Sequence, residues 1–287
     1  PSLKPRESGL FLLNHFWLNN HSENPIGIFD SGIGGLTVAH AIKDILPHEH
    51  LIYFGDTAHL PYGDKSEAAI QAYSVKITNV LLQKKCKVIV IACHSASSAS
   101  YELLKEYVGK EAHVINVIDP MMEILARNFQ QTTVGIIGTK RTVQSNIYAK
   151  KLSAKNLDID LRMLATPLLA PMIEEGFFNN QISREIITQY LSDPQLGNVD
   201  ALILACTHYP LIKKEIEEYY GGKTKILDSS LAAAQSLYDY LSSQNLLNVH
   251  PHPSHQFFVS DYTESFEAAT RMFFDEAVHL ESYPIWN

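Results

Sequence analysis

The chain has 287 residues, 46% hydrophobic and 19% charged, the balance of a soluble globular protein with room for a sizeable core and two domains of ordinary size. A formal net charge of -8 with scattered basic residues argues against a non-specific nucleic-acid footprint, so an anionic substrate needs local donors. Three cysteines are too few for a disulfide framework, which points to a reducing cytoplasm.

Residues 1–24 carry Lys4 and Arg6 ahead of the apolar Leu10-Phe11-Leu12-Leu13. That run is broken at Asn14-His15, has no small-residue cleavage site and is far too short to span a bilayer. It reads as a surface extension, with no membrane contact expected. From Pro25 the chain alternates strands and helices: strand 26–29, helix 35–46, strand 51–55, helix 66–85 with Ser66 as its N-cap, strand 88–92, helix 97–108 and strand 114–118. Asp119-Pro120 opens the next element and marks a boundary. Strand 133–137, helix 143–152, strand 160–164, helix 183–191 and a strand at 201–205 repeat the order of events. Beyond Asp228-Ser229-Ser230, a helix, a loop over 248–255, strand 256–260 and helix 263–276 return to complete the first unit. The expected organisation is an extension over 1–24, a discontinuous first domain over 25–118 and 229–275, a second domain over 119–228, and a tail over 276–287.

Two segments carry chemistry. Val88-Ile89-Val90-Ile91-Ala92-Cys93-His94-Ser95 and Ala201-Leu202-Ile203-Leu204-Ala205-Cys206-Thr207-His208 are apolar runs that end in Ala-Cys followed by small or polar side chains. Each reads as a buried parallel strand with its thiol at the carboxyl end, where open α/β sheets bind ligands. Gly27 to Ser31 aligns loosely with Gly135 to Thr139, at nearly the separation of Cys93 from Cys206, which suggests an internal duplication. Two facing domains would then bring both thiols to one cleft. A buried thiol is more often an inert small hydrophobe, and a disulfide or metal site is the sharper rival. No Cys-x-x-Cys occurs, Cys206-Thr207-His208 offers too few ligands for a closed zinc site, and Cys86, after Lys84-Lys85 and ahead of its strand, lacks the strand-end setting of the other two and reads as structural.

The turn Asp30-Ser31-Gly32-Ile33-Gly34-Gly35 fails the dinucleotide fingerprint because Thr37 stands where its third glycine belongs. It reads either as a tight turn that needs glycine φ angles or as a device projecting Asp30 and Ser31 into the cleft. The His250-Pro251-His252-Pro253-Ser254-His255 run reads as a loop rather than a metal tract, and Glu215 to Tyr220 as the solvated end of a helix.

Five blocks in order resemble the glutamate racemases of the aspartate/glutamate racemase family: Gly27 to Thr37, Asp56-Thr57-Ala58-His59-Leu60-Pro61-Tyr62-Gly63, Ala92-Cys93, Pro167 to Gly176, and Cys206-Thr207-His208-Tyr209-Pro210. The resemblance runs from about Pro25 to Phe274. It implies an α/β fold of two similar Rossmann-like or flavodoxin-like domains related by pseudo-two-fold symmetry, with the active site between them. It implies interconversion of L- and D-glutamate without cofactor or metal, by a homodimer that supplies D-glutamate for peptidoglycan. Inverting a carbon centre by proton exchange needs a base on one face and an acid on the other, and Cys93 and Cys206 can alternate in those roles.

The same matching makes Asp30 the helper of Cys93, and His208 with Glu174 the helpers of Cys206. Substrate contacts map to Asp30, Ser31, Pro61, Tyr62, Gly63, His94, Ser95, Thr207 and His208, with Thr139 and Thr142 lining the second half or capping a helix there. The family has Asn-Thr after its first cysteine, where this chain has His94-Ser95. Ser95 keeps a hydroxyl. His94 brings a titratable ring beside a thiol, and the expectation is that its charge shapes the pH profile, unless it points away and caps the next helix. Related dicarboxylic-acid racemases and non-catalytic binding proteins are the competing readings.

Overall fold

The computed structural model describes residues 21–250 and 254–286, so most of the expected extension and the centre of the His-Pro run lie outside the described residues. The first unit runs β1 (Ile26–Asp30), α1 (Leu36–Ile45), β2 (Leu51–Gly55), α2 (Glu67–Gln83), β3 (Val88–Ile91), α3 (His94–Val108) and β4 (His113–Asn116), after which α4 (Asp119–Asn128) packs on the second sheet. The second runs β5 (Thr132–Gly138), α5 (Lys140–Gln144), α6 (Ile147–Ala154), β6 (Ile159–Ala165), α7 (Leu169–Glu174), α8 (Gln181–Leu191), β7 (Ala201–Ala205), α9 (Lys213–Tyr220) and β8 (Lys225–Asp228). The chain then continues through α10 (Ser229–Ser243), β9 (Gln256–Val259), α11 (Glu264–Phe274) and β10 (Glu281–Ser282).

Two parallel sheets result, one ordered β10-β9-β2-β1-β3-β4 and the other β6-β5-β7-β8. Strands β2-β1-β3-β4 of the first and β6-β5-β7-β8 of the second therefore follow the same order, as the recurrence in sequence suggested. In this order successive crossovers leave the first strand in opposite directions, and a crevice opens between the first and third strands at their carboxyl ends. Cys93 follows the third strand of the first sheet and Cys206 the third strand of the second.

Strands β1, β2, β3 and β7 are buried at every residue, which is why they read as continuous apolar runs rather than alternating ones. One apolar cluster joins both sheets: Ile28 and Val90 of the first, Leu202 and Leu204 of the second, and Ala233, Leu237 and Leu241 of α10. This common core fixes the sheets side by side. At the amino ends of the first sheet, Lys87 donates from Nζ to Glu49 Oε2 at 2.6 Å and to the Leu246 carbonyl at 2.8 Å. It also bonds the Ser22 carbonyl, and Glu49 Oε1 accepts from the Asn248 N–H at 2.8 Å, so one buried pair ties the chain together at residues 22, 49, 87 and 246–248.

Several expectations change. Helix α3 begins at His94, not residue 97, because Cys93 itself is the N-cap and its sulfur accepts from the Ala96 N–H at 3.5 Å. The helix expected over 143–152 is two helices, broken where Asn146 takes φ 55°. Strand β4 stops at Asn116, whose side-chain oxygen accepts the N–H groups of Ile118 and Asp119 and turns the chain into α4. Glu215 is not solvated: it is buried and accepts from the Ser183 hydroxyl at 2.5 Å and the Asn179 N–H at 3.1 Å. The expected tail over 276–287 is not a loose end either, since β10 pairs with β9 and extends the first sheet. Among the described residues no helix is long and apolar enough to cross a membrane.

Candidate active site

The glycine-rich turn after β1 is where the two units meet. None of its glycines has positive φ, so the glycine-angle reading fails, and close approach is the reason for them. A methyl group built on Gly34 would lie 2.3 Å from His208 Cε1, and one on Gly35 would lie 2.5 Å from Asp30 Cβ. Gly34 thus leaves the space that the His208 ring of the second unit occupies, and Gly35 the space into which Asp30 folds back. Thr37 Oγ1 adds a cross-unit hydrogen bond to the Thr207 carbonyl at 2.9 Å.

On the Cys93 side, the thiol donates to Ser31 Oγ at 3.7 Å and sits at the start of α3. Burial, reinforced by the Asp30 carboxylate, pushes the Cys93 thiol up to about 12, beyond what the Ala96 N–H and Ser31 offset. Asp30 is fully buried, with Oδ2 accepting the N–H groups of Gly32 and Gly35, both at 3.1 Å. Burial raises its carboxyl above the ordinary range despite these bonds and the positive field of His208, and Oδ1 is left without a partner.

The Cys206 side is built differently. His208 Nδ1 lies 3.6 Å from Cys206 Sγ, and Nε2 lies 2.8 Å from Glu174 Oε1 at the end of α7. Burial drives this imidazole down, but the hydrogen bonds and charges of Cys206 and Glu174 together outweigh it and hold the ring well above the usual histidine range. Its partners thus favour the charged form of His208, which stands against the second sulfur. One thiol is buried beside a carboxylate, and the other is paired with an imidazole.

Both thiols line one cavity of about 180 Å³. Its wall also takes Ser31, Pro61, Tyr62, Gly63, His94 and Ser95 from the first unit, and Thr139, Glu174, Thr207 and His208 from the second. Two expected residues are not on that wall. Asp30 lies beneath it, and Thr142 stands behind Thr139, their hydroxyls 3.1 Å apart. Thr139 caps α5 by accepting from the Thr142 N–H and bridges the units through a 2.9 Å bond to Ser95 Oγ. A larger open groove of about 1000 Å³ against α9, β8 and α10 contains neither cysteine nor histidine.

His94 departs from expectation. It is 2% exposed, both ring nitrogens lack a partner, and burial lowers its pKa to about 3, so the ring is neutral. It is the first residue of α3 rather than its cap. Sequence reasoning gave no site role to Leu60, Ala170, Pro171 and Ala205, which complete the wall, or to Asp56, whose buried carboxylate accepts the Tyr62 hydroxyl at 2.6 Å. A buried aspartate shortly before a lining tyrosine was a usable signal for the last of these.

This geometry agrees with comparisons to known proteins. Residues 36–237 match the family model for Asp/Glu/Hydantoin racemase. The chain belongs to this family of isomerases. It is 38% identical to the glutamate racemase of Chlorobaculum parvum across 87% of this chain and 92% of that one. It is 36% identical to the glutamate racemase of Neisseria meningitidis, across 88% and 93%. A crystal structure of the Francisella tularensis glutamate racemase in complex with D-glutamate superposes with a TM-score of 0.86 at 38% identity, covering 92% of this chain and 99% of that one.

Proposed function

We propose that the protein is a cofactor-independent glutamate racemase in which Cys93 and Cys206 exchange the roles of base and acid. The observation that carries this reading is that the third strand of each sheet delivers one thiol to the same cavity. At about 180 Å³ that cavity falls below the roughly 300–1000 Å³ of sites for drug-sized ligands and suits a small amino acid. His208 stands 3.6 Å from the Cys206 sulfur, placed to share in its proton exchange, while burial keeps Cys93 as the thiol. Cys206 then removes the α-proton from one enantiomer and Cys93 protonates the opposite face. The reverse direction runs the same transfers backwards, with Cys93, which has given up its proton, as the base and Cys206, which has taken one, as the acid; the unpartnered Asp30 Oδ1 on one side and His208 on the other are available to reset the two protons between turnovers. Hydroxyls of Ser31, Ser95 and Thr139 supply polar contacts for the substrate's carboxylates and ammonium. In this reading the enzyme works as a cytoplasmic homodimer and supplies D-glutamate for peptidoglycan.

The test is circular dichroism of each enantiomer of glutamate and of aspartate with purified protein in deuterium oxide. Glutamate of either hand is expected to lose its signal and gain α-deuterium. Faster turnover of aspartate would assign the chain to the shorter substrate, and inert glutamate and aspartate would overturn the racemase reading.

The neutral His94 makes a separate expectation for the pH profile. Its titration near 3 lies outside the working range, so His94→Asn should leave the acidic limb of kcat/KM in place and change KM by roughly tenfold or less through altered hydrogen bonding. A limb that moves with this substitution would show that the ring carries charge during turnover.

A further inference from the structure

The Asp56 carboxylate is fully buried and collects four side-chain groups from three parts of the chain. Oδ2 accepts from the Tyr62 hydroxyl at 2.6 Å and lies 3.1 Å from His59 Nδ1; Oδ1 accepts from the Ser260 hydroxyl and the Trp286 indole N–H, both at 2.7 Å. Tyr62 is a wall of the thiol cavity; Trp286 is not. The indole arrives from the segment beyond β10, which the Tyr283 N–H anchors to the Val259 carbonyl at 2.8 Å. Its ring meets His59 edge-on at 4.5 Å and Tyr73 at 5.3 Å, and Lys76 Nζ stands 4.7 Å over it. His59 and Tyr73 in turn stack at 4.0 Å, and Tyr73 leans on Tyr62 at 5.7 Å.

We propose that Trp286 is a positioning residue for the reaction in this cavity, acting through Asp56 on Tyr62. A buried carboxylate keeps its place only while its hydrogen-bond donors hold it, and an acceptor stripped of one strong donor turns toward others or admits water. Without the indole N–H, Asp56 Oδ1 keeps the Ser260 hydroxyl and the longer 3.2 Å approach of His59 Nδ1, which Oδ2 shares, and the Oδ2 bond that orients the Tyr62 phenol loses its fixed acceptor. The Pro61–Gly63 wall then loosens over Cys93. The kinetic part rests on the racemase reading; the structural part does not.

Trp286→Phe keeps an aromatic six-membered ring and removes the N–H together with the five-membered part of the indole. It is expected to raise KM for glutamate roughly five- to tenfold with kcat within about twofold, the loss belonging to a group that shapes the pocket. Tyr62→Phe should raise KM similarly, and the double variant should be no worse than the weaker-binding single, because both act on one linkage. Ile285→Ala loosens the same segment without touching the N–H, so it should lower Tm and leave KM alone. Independently of turnover, alkylation of Cys93 by iodoacetamide, followed by peptide mass spectrometry, should quicken several-fold in Trp286→Phe and Tyr62→Phe but not in Ile285→Ala. Additive KM effects, or a Cys93 alkylation rate unchanged by Trp286→Phe, would overturn the proposal. A wild type that racemises nothing would remove the proposed function and leave the alkylation result to decide the linkage.

Discussion

Replacing Cys93 or Cys206 by serine is expected to reduce racemisation of both enantiomers by roughly 10²–10⁴-fold, the range supplied by one positioned acid or base. A serine hydroxyl occupies nearly the same volume but ionises far less readily, and each turnover needs both groups, one as base and one as acid. The two variants should nevertheless differ. Cys93→Ser keeps Cys206 beside His208, so it should still exchange the α-proton of one enantiomer with deuterium oxide while failing to invert it. Cys206→Ser leaves Cys93, whose thiol sits at about 12, and its exchange at neutral pH should be far slower. Measuring exchange and inversion separately by mass spectrometry and circular dichroism checks this. Wild-type inversion in both variants would sink the two-thiol mechanism.

The thiols were legible because their strands are buried on both faces, and a parallel strand of that kind announces itself as an uninterrupted apolar run with a polar end. The start of α3 was not, because a cysteine is a rare cap and His94-Ser95-Ala96-Ser97-Ser98 has weak helix preference. Strand β8 and helix α7 are too short to show a period, and Pro171 within α7 hides it further. The fingerprint comparison at Gly32 to Gly35 asked about phosphate, whereas the glycines answer to His208 and Asp30, partners that no local window contains. Charge at His94 could not be read from its identity. The sequence places a histidine beside a thiol, but only the depth of the pocket says that the ring stays neutral.

Lys87→Met is expected to cost about 3–5 kcal/mol of folding stability, the usual penalty for stripping one partner from a buried ion pair. Lys87 and Glu49 side chains are 3% and 1% exposed, so the carboxylate left behind has no water to turn to. The lysine itself is held below its ordinary pKa by burial, which Glu49 only partly offsets, so its charged form is costly even in the intact pair. The sign follows. A lysine with a depressed folded pKa detracts from stability while the folded group is protonated, and this cost fades as pH rises from the folded value toward the unfolded one near 10.5. Lys87→Met with Glu49→Leu should recover part of the loss, but not all, because the Leu246 carbonyl and the Asn248 N–H lose their partners. Urea denaturation of the two single variants and the double gives the coupling directly. A near-zero effect of Lys87→Met would mean that water reaches Glu49.

The two sulfurs stand in unequal company, an imidazole beside one and a carboxylate beneath the other, yet one quantity cannot inherit that inequality. Mirror-image amino acids have the same free energy in an achiral solvent, so a racemase works at an equilibrium constant of one, and kcat/KM must be equal for its two enantiomers. The dissimilar neighbours can therefore only be spent in compensating pairs: whatever makes one hand bind more tightly must make it turn over more slowly by the same factor. The affinity gap between the two enantiomers, read against the gap in kcat, becomes a gauge of how unequal the two halves of the duplicated sheet have grown.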